Sequence, residues 1–186
     1  MERVPLAQGA LLIATPFLGN DIFERSVVLL CDHQKEGTFG LIMNQMTELR
    51  LGDIWEESSY SDLPVFIGGP VEQNTLHFIH RLGDQIAQSI PIGDNLYWSG
   101  DYEQVKTLLQ IGQVSPEEIR FFVGYSGWSE DQLSGEIDQD YWVVHQPKEN
   151  DTLFSTPPKH LWRTLLKNMG GKHKAMANYP VDPRLN

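Results

Sequence analysis

The sequence predicts an α+β (mixed α/β) fold in one domain over residues 1–186. The expected architecture is a curved, barrel-like mixed or antiparallel sheet of about 6–7 strands, flanked by about 4 helices. Three observations predict it. Short apolar runs of strand length recur along the chain, with neighbours close enough for hairpins and hence antiparallel pairing. Helical periodicity is confined to a few segments between them. The spacing is too irregular for repeated βαβ units, and no internal repeat or low-complexity linker is visible.

Taken in order, Ala10-Leu11-Leu12-Ile13-Ala14, closed by Pro16, reads as a buried strand. Pro16 to Asn20 is loop by composition. Asp21 to Arg25 leads into Ser26-Val27-Val28-Leu29-Leu30-Cys31, the strongest strand signal in the chain. A turn at Glu36-Gly37-Thr38 precedes Gly40-Leu41-Ile42-Met43-Asn44, placed to complete a hairpin. Leu51, Ile54 and Trp55 sit at helical spacing. Val65-Phe66-Ile67 stops at Gly68-Gly69-Pro70, and Leu76 to Ile79 and Leu96 to Trp98 are further strands. Asp101 and Gln104 suggest a capping box for a helix with a Val105, Leu108, Leu109 stripe, ended by Gly112. Ser115-Pro116-Glu117-Glu118 reads as one capped helical turn. Ile119 to Val123 is the central strand. Gly124-Tyr125-Ser126-Gly127-Trp128 then reads as a sharp turn feeding a helix from Ser129 to about Asp138. Tyr141 to Val144 is the last strand. Thr156-Pro157 starts a helix carrying Leu161, Trp162, Leu165, Leu166 and Met169, and Gly170 ends it.

Composition narrows the function classes. The opening Met1-Glu2-Arg3-Val4-Pro5 lacks the layout of a signal peptide, and no apolar run approaches the ~18 residues of a membrane span. A lone cysteine, Cys31, excludes an intramolecular disulfide framework, so a cytoplasmic location is expected. The net charge of −11 hides an asymmetry. Residues 1–147 hold 7 Lys+Arg against 22 Asp+Glu, or −15, while residues 148–186 hold 7 against 3, or +4. An acidic body repels phosphate, which disfavours specific duplex DNA binding and membrane association. The basic end (Lys159, Arg163, Lys167, Lys172, Lys174, Arg184) reads first as a solvated helix face and second as a phosphate contact.

Motif chemistry subtracts more than it adds. Gly124-Tyr125-Ser126-Gly127-Trp128 has Trp where a nucleophile elbow needs its second glycine. Cys31 and His33 are two apart, so in a regular strand both face one side, and a thiolate beside an imidazole is a candidate nucleophile pair. The competing reading is a small buried strand cysteine. His77 and His80 could be combined on paper with Asp32, Asp53, Glu56 and Glu57, but strand positions 77 and 80 diverge and no zinc spacing exists. No nucleotide cradle is present. No metal and no cofactor is expected. The acidic residues Glu130, Asp131, Glu136, Asp138 and Asp140 read as a solvated face.

Several segments, in order, resemble the AlgH/YqgE family of bacterial proteins. They are Gly9-x-Leu11-Leu12-Ile13-Ala14-x-Pro16, Phe23-x-Arg25-Ser26-Val27-Val28, Cys31-x-His33, Gly37-x-x-Gly40-Leu41-x-x-Asn44, Gly68-Gly69-Pro70-Val71, and Gly124 to Trp128 with Gln132-Leu133. The resemblance covers a core of about 9–145, with 146–186 as a C-terminal helix and branch-specific tail. The chain departs from the family pattern at Gln45-Met46, at Ser129-Glu130-Asp131, and at Ser126, where the family commonly has Ala. The family implies a single-domain fold with a mixed, barrel-like sheet and a transcriptional-regulator label, but no chemistry. The expectation is therefore a regulatory or interaction protein, more plausibly non-enzymatic than an enzyme using Cys31 and His33. Its partner would be a protein or small molecule, bound around Arg25, Ser26, His33, Asn44, Gly68, Gly69, Pro70, Gly124, Tyr125, Gly127 and Trp128. These are the polar and glycine positions left once the core strands are assigned.

Overall fold

The molecule is assembled on one long strand, β9 (Ile119–Ser129). The structure, a computed structural model, describes residues 4–16, 18, 22–55, 62–147 and 151–180. Expectations placed on Met1 to Arg3, most of Phe17 to Asp21, Glu56, Glu57 and Val181 to Arg184 lie outside these.

Preceding β9 are β1 (Leu11–Ala14), β2 (Val27–Gln34), β3 (Gly37–Ile42), β4 (Met46–Arg50), β5 (Pro64–Ile67), β6 (Val71–His80), β7 (Ile90–Gly93) and β8 (Leu96–Trp98), and β10 (Trp142–His145) follows it. They form one sheet in the order β10-β1-β2-β3-β9-β6-β8-β7, with β5 also paired to β9 and β4 to β5. Pairing is antiparallel except between β5 and β9, where Val65, Phe66 and Ile67 face Phe121, Phe122 and Val123 in parallel. The first half of β9 is thus flanked by β5 and β6, and its second half pairs with β3, Gly37 opposite Ser129.

The α+β class is as the sequence implies, but the sheet has ten strands among the described residues rather than six or seven. It is also open, because no ladder joins β7 to β10. The strands absent from the sequence reading are edges. β4 is almost wholly exposed, and β7 carries Pro91, which an edge strand tolerates and an interior one does not. Six helices are described rather than four: α1 (Leu51–Ile54), α2 (Tyr102–Gln110), α3 (Gln132–Asp138), α4 (Asp151–Ser155), α5 (Pro158–Met169) and α6 (Gly171–Met176). The expected α2 capping box is half made. Asp101 accepts from the amides of Glu103 and Gln104, but Gln104 Oε1 turns to the Ala87 amide, 2.7 Å away.

The continuous apolar runs of β1 and β2 follow from burial on both faces. Leu11, Ile13, Leu29 and Cys31 join Phe66 and Phe122 under Leu161, Trp162, Leu165 and Leu166 of α5. Leu12, Val28 and Leu30 face the other way, against Trp128, Leu133 and Trp142. A third cluster packs α2 through Val105 and Leu109 on Phe78 and Phe121. At ~1.5–3 kcal/mol for each fully buried large side chain, α5 alone supplies several anchors. Its Trp162 Nε1 also donates to the Ala14 carbonyl at 2.7 Å, tying residue 162 to the first strand.

Candidate functional site

The segment Gly124 to Trp128 is not a turn. It is the second half of β9, and the chain reaches α3 only at Gln132, past Asp131 in a left-handed conformation. Its first glycine, Gly124, serves a crossing of backbones with Gly68 and Gly69. A Cβ on Gly68 would lie 2.2 Å from the Gly124 carbonyl oxygen, and one on Gly69 would lie 2.2 Å from Tyr125 backbone. Gly124 itself has φ +67, which only glycine adopts without strain. The buried Ser126 hydroxyl donates to the Gly68 carbonyl at 3.0 Å, which also accepts from the Ile42 amide. Ser126 is thereby a joint between strands.

Beyond that crossing β6 peels away from β9: Leu76 faces Val123, but the next pairing is Val71 with Tyr125. Five positions on β6 are thus set against two on β9. This leaves an open trough of about 620 Å³ between the β2–β3 hairpin and the end of β9. Phe39 stacks on Tyr125 along it, centroids 4.6 Å apart at 25°, with Val71, Gly127 and Trp128 on the walls. Asp32 and Glu36 bring negative charge to the lining. Behind Phe39 the aromatic contacts continue to Trp98 at 4.9 Å and His77 at 5.3 Å. Burial lowers the pKa of His77, against a smaller opposing pull from Glu72, and its Nε2 lies 2.9 Å from the Thr75 hydroxyl.

Cys31 and His33 do not meet. The β2–β3 register shifts between Leu30 and Asp32, so the strand loses its alternation there. Cys31 joins the cluster under α5, fully buried, while His33 stands on the exposed side, where its Nδ1 lies 2.7 Å from the Thr38 hydroxyl. Burial, with Asp32 adding to it, drives the thiol pKa well up, away from the thiolate a nucleophile needs. His33 lines a second depression of about 440 Å³, shared with Ser129, Glu130 and Leu133 on the hairpin's other face.

The remaining expected positions gather elsewhere. Asn44 accepts from the Val27 amide and donates to the Arg25 carbonyl, holding the start of β2. Arg25, at φ +51, lays its guanidinium over Trp162 and donates to the Tyr179 carbonyl at 2.6 Å, binding that corner to the C-terminal helices. Ser26 is fully buried beside it, its hydroxyl without a hydrogen-bond partner among the described residues. Of the expected binding residues, the structure brings Tyr125, Gly127 and Trp128 into the trough, and sets Gly68, Gly69, Pro70 and Gly124 at or next to the crossing behind it. Lys159, Arg163, Lys167, Lys172 and Lys174 are all exposed on α5 and α6. Among the described residues no three His, Cys, Asp or Glu side chains converge as metal ligands, and no helix is long and apolar enough to cross a membrane.

Sequence reasoning passed over Phe39, a bulky residue between Gly37 and Gly40 in a hairpin, and Arg120, a charge inside the apolar run of β9. It also took Glu136 for part of a solvated face. Glu136 Oε2 accepts from both Trp128 Nε1, at 2.8 Å, and Trp142 Nε1, at 2.7 Å.

The fold and trough define a class: an open, mixed α+β sheet around a crossed central strand, with an aromatic recess at its end. The chain belongs to the AlgH-like family, whose model matches residues 11–174. It is 44% identical over 182 residues to a UPF0301 protein of Cytophaga hutchinsonii, covering 97% of this chain and 100% of that one. A UPF0301 protein of Parabacteroides distasonis is 38% identical, covering 96% and 91%. The solution structure of AlgH from Pseudomonas aeruginosa superposes with a TM-score of 0.72 at 22% identity, covering 97% of this chain and 98% of that one. Protein DIP2367 of Corynebacterium diphtheriae gives 0.73 at 20% identity, covering 96% and 95%. At such identities these two establish the fold.

Proposed function

We propose that this protein is a non-enzymatic regulatory or interaction protein of the cytoplasm, and that its trough seats a basic segment of a partner protein. The observation that carries the reading is the half-buried Phe39–Tyr125 stack in a recess lined by Asp32 and Glu36. Aromatic faces with carboxylates beside them attract Lys and Arg and repel phosphate. The −15 body adds the same bias over a longer range. The buried thiol of Cys31 and the engaged hydroxyl of Ser126 support binding over covalent catalysis.

The test is fluorescence anisotropy with labelled Lys/Arg-rich peptides, matched Asp/Glu-rich peptides and duplex DNA, each across a salt series. Basic peptides should bind, and Tyr125→Ala, which leaves every charge in place, should weaken them about tenfold. Equal binding by the variant would sink the trough reading. Duplex binding that falls steeply with salt would move the function to α5 and α6 and restore direct nucleic-acid contact.

A further inference from the structure

One charged side chain takes no part in the trough. Arg120 lies on the first half of β9, five residues before Tyr125 and so roughly 16 Å along the strand. Its residue is only 8% exposed. The guanidinium sits over Phe66 at 4.6 Å and Phe154 at 5.2 Å, and Nη1 donates to the Met43 carbonyl at 3.0 Å. A guanidinium has five N–H donors, and this bond uses one. No carboxylate of the described residues lies within the 4.0 Å of an ion pair. Burial pulls its pKa down to about 10, so the group is still cationic at neutral pH. A desolvated cation without an anion is costly, and proteins that keep one usually pair it.

The same side chain lines a half-open cavity of about 180 Å³. The other walls include Met46, Leu63, Pro64, Phe66 and Pro158, all apolar. We propose that this cavity is a binding site for a small organic monocarboxylate with a compact apolar body, whose carboxylate Arg120 receives. The volume decides the size, since a cavity of about 150 Å³ admits a benzene ring. The charge decides the valence: one buried cation neutralises one anion, and a dianion such as phosphate would leave net charge in an apolar pocket. Apolar walls decide the body, because an inorganic ion would leave them wet. The site is independent of the trough reading and can stand if that reading fails.

Sodium benzoate is the probe, titrated to about 20 mM, well above the millimolar range of weak anion sites. NMR follows the Arg120 Nε–Hε signal, with benzamide and phosphate as neutral and dianionic controls. Benzoate should move that signal saturably, and benzamide and phosphate should not. Arg120→Met should weaken benzoate binding about tenfold or more. Since that variant disturbs a buried bond, Met46→Trp provides a second check. Met46 is 49% exposed at the rim, so Trp there can close the mouth without entering the core, and it too should weaken binding about tenfold. An Arg120 signal that benzoate leaves in place overturns the proposal. So does benzamide or phosphate binding as tightly as benzoate, or benzoate affinity unchanged in Met46→Trp.

Discussion

Replacing Glu136 by Ala removes the acceptor shared by two indoles that are nearly out of water. Trp128 is 5% exposed and Trp142 4%, and their Nε1 groups both end on Glu136 Oε2. Leaving two buried N–H donors unmatched costs ~1–3 kcal/mol each, so ~2–6 kcal/mol in all. Glu136 itself is half-buried, so water can enter part of the vacated space and relieve one donor. The expected loss is then about 3 kcal/mol, or roughly 6–12 °C in Tm for a domain of this size. Glu136→Gln keeps an amide oxygen for the indoles and gives up only the charge, so it should lose about 1 kcal/mol. Equilibrium urea unfolding followed by tryptophan fluorescence reads both variants. A Glu136→Ala protein within ~0.5 kcal/mol of the parent would show that the carboxylate merely accompanies the packing of Phe23, Trp128 and Trp142, and the reasoning would be wrong.

Three further outcomes follow from other parts of the fold. Cys31 should react with a thiol reagent at neutral pH only as fast as the protein opens, with a sharp rise across the unfolding transition, because the thiol is buried and its pKa raised. Rapid labelling of folded protein would return Cys31 to candidacy as a nucleophile. Gly68→Ala should cost about 4 kcal/mol or more and yield little folded protein, because its Cβ meets the Gly124 backbone rather than a movable side chain, and a normal Tm would contradict the crossing. The third concerns pH. His80 is fully buried, and its Nδ1 accepts from the Leu82 amide, so Nε2 carries the proton toward Ser99 O and Ser89 Oγ. Burial lowers its pKa from 6.5. Folded protein therefore binds its proton less readily than unfolded chain. The contribution is intact above pH 6.5 and is lost as pH falls below it, at up to ~1.4 kcal/mol per pH unit until the folded pKa is reached. Denaturation midpoints of His80→Asn should be lower at neutral pH but flatter between about pH 6.5 and 5, and an equal slope in both proteins would assign the effect elsewhere.

What the sequence made legible was whatever is decided locally. The β2 run Val27 to Cys31 and the α5 stripe of Leu161, Trp162, Leu165 and Leu166 carry their own burial pattern, and both appear where periodicity puts them. β4 and β7 do not, because an edge strand with exposed side chains has no apolar alternation to read. Cys31 and His33 were misplaced for a different reason. Strand periodicity puts residues two apart on one face, but a bulge set by pairing with β3 breaks that rule between Leu30 and Asp32. The candidate site was less legible still, since Phe39, His77, Trp98 and Tyr125 come from four strands and meet only through the sheet order. Arg120 did leave a trace, a lone charge between Ile119 and Phe121. Periodicity reasoning reads past such a residue, although a charge in a buried strand always needs an account.

The glycines of β9 show why site and scaffold resist separation here. Glycine followed by glycine usually announces a turn, and Gly124 with Gly127 invites that reading. Here Gly124 allows close backbone approach, while a Cβ on Gly127 would meet only the Tyr125 ring. Gly124 accepts the Gly68-Gly69 backbone on one side, and its Cβ position would also lie 2.8 Å from the Val71 carbonyl and 3.2 Å from Gln73 Cα. The extra residues of β6 therefore ride directly over Gly124. Because they do, β6 pairs with β9 only at Val71 beyond this point, and Tyr125 turns its ring onto Phe39 instead of lying under a continuous neighbouring strand. The crossing that closes the fold is thus what opens the trough. A side chain at position 124 would push against the Gly69 carbonyl, which links β5 to β6, and against β6 itself, so it should cost stability and flatten the recess together. A variant that kept the Phe39–Tyr125 stack while restoring regular β6 pairing would separate the two effects and refute this coupling.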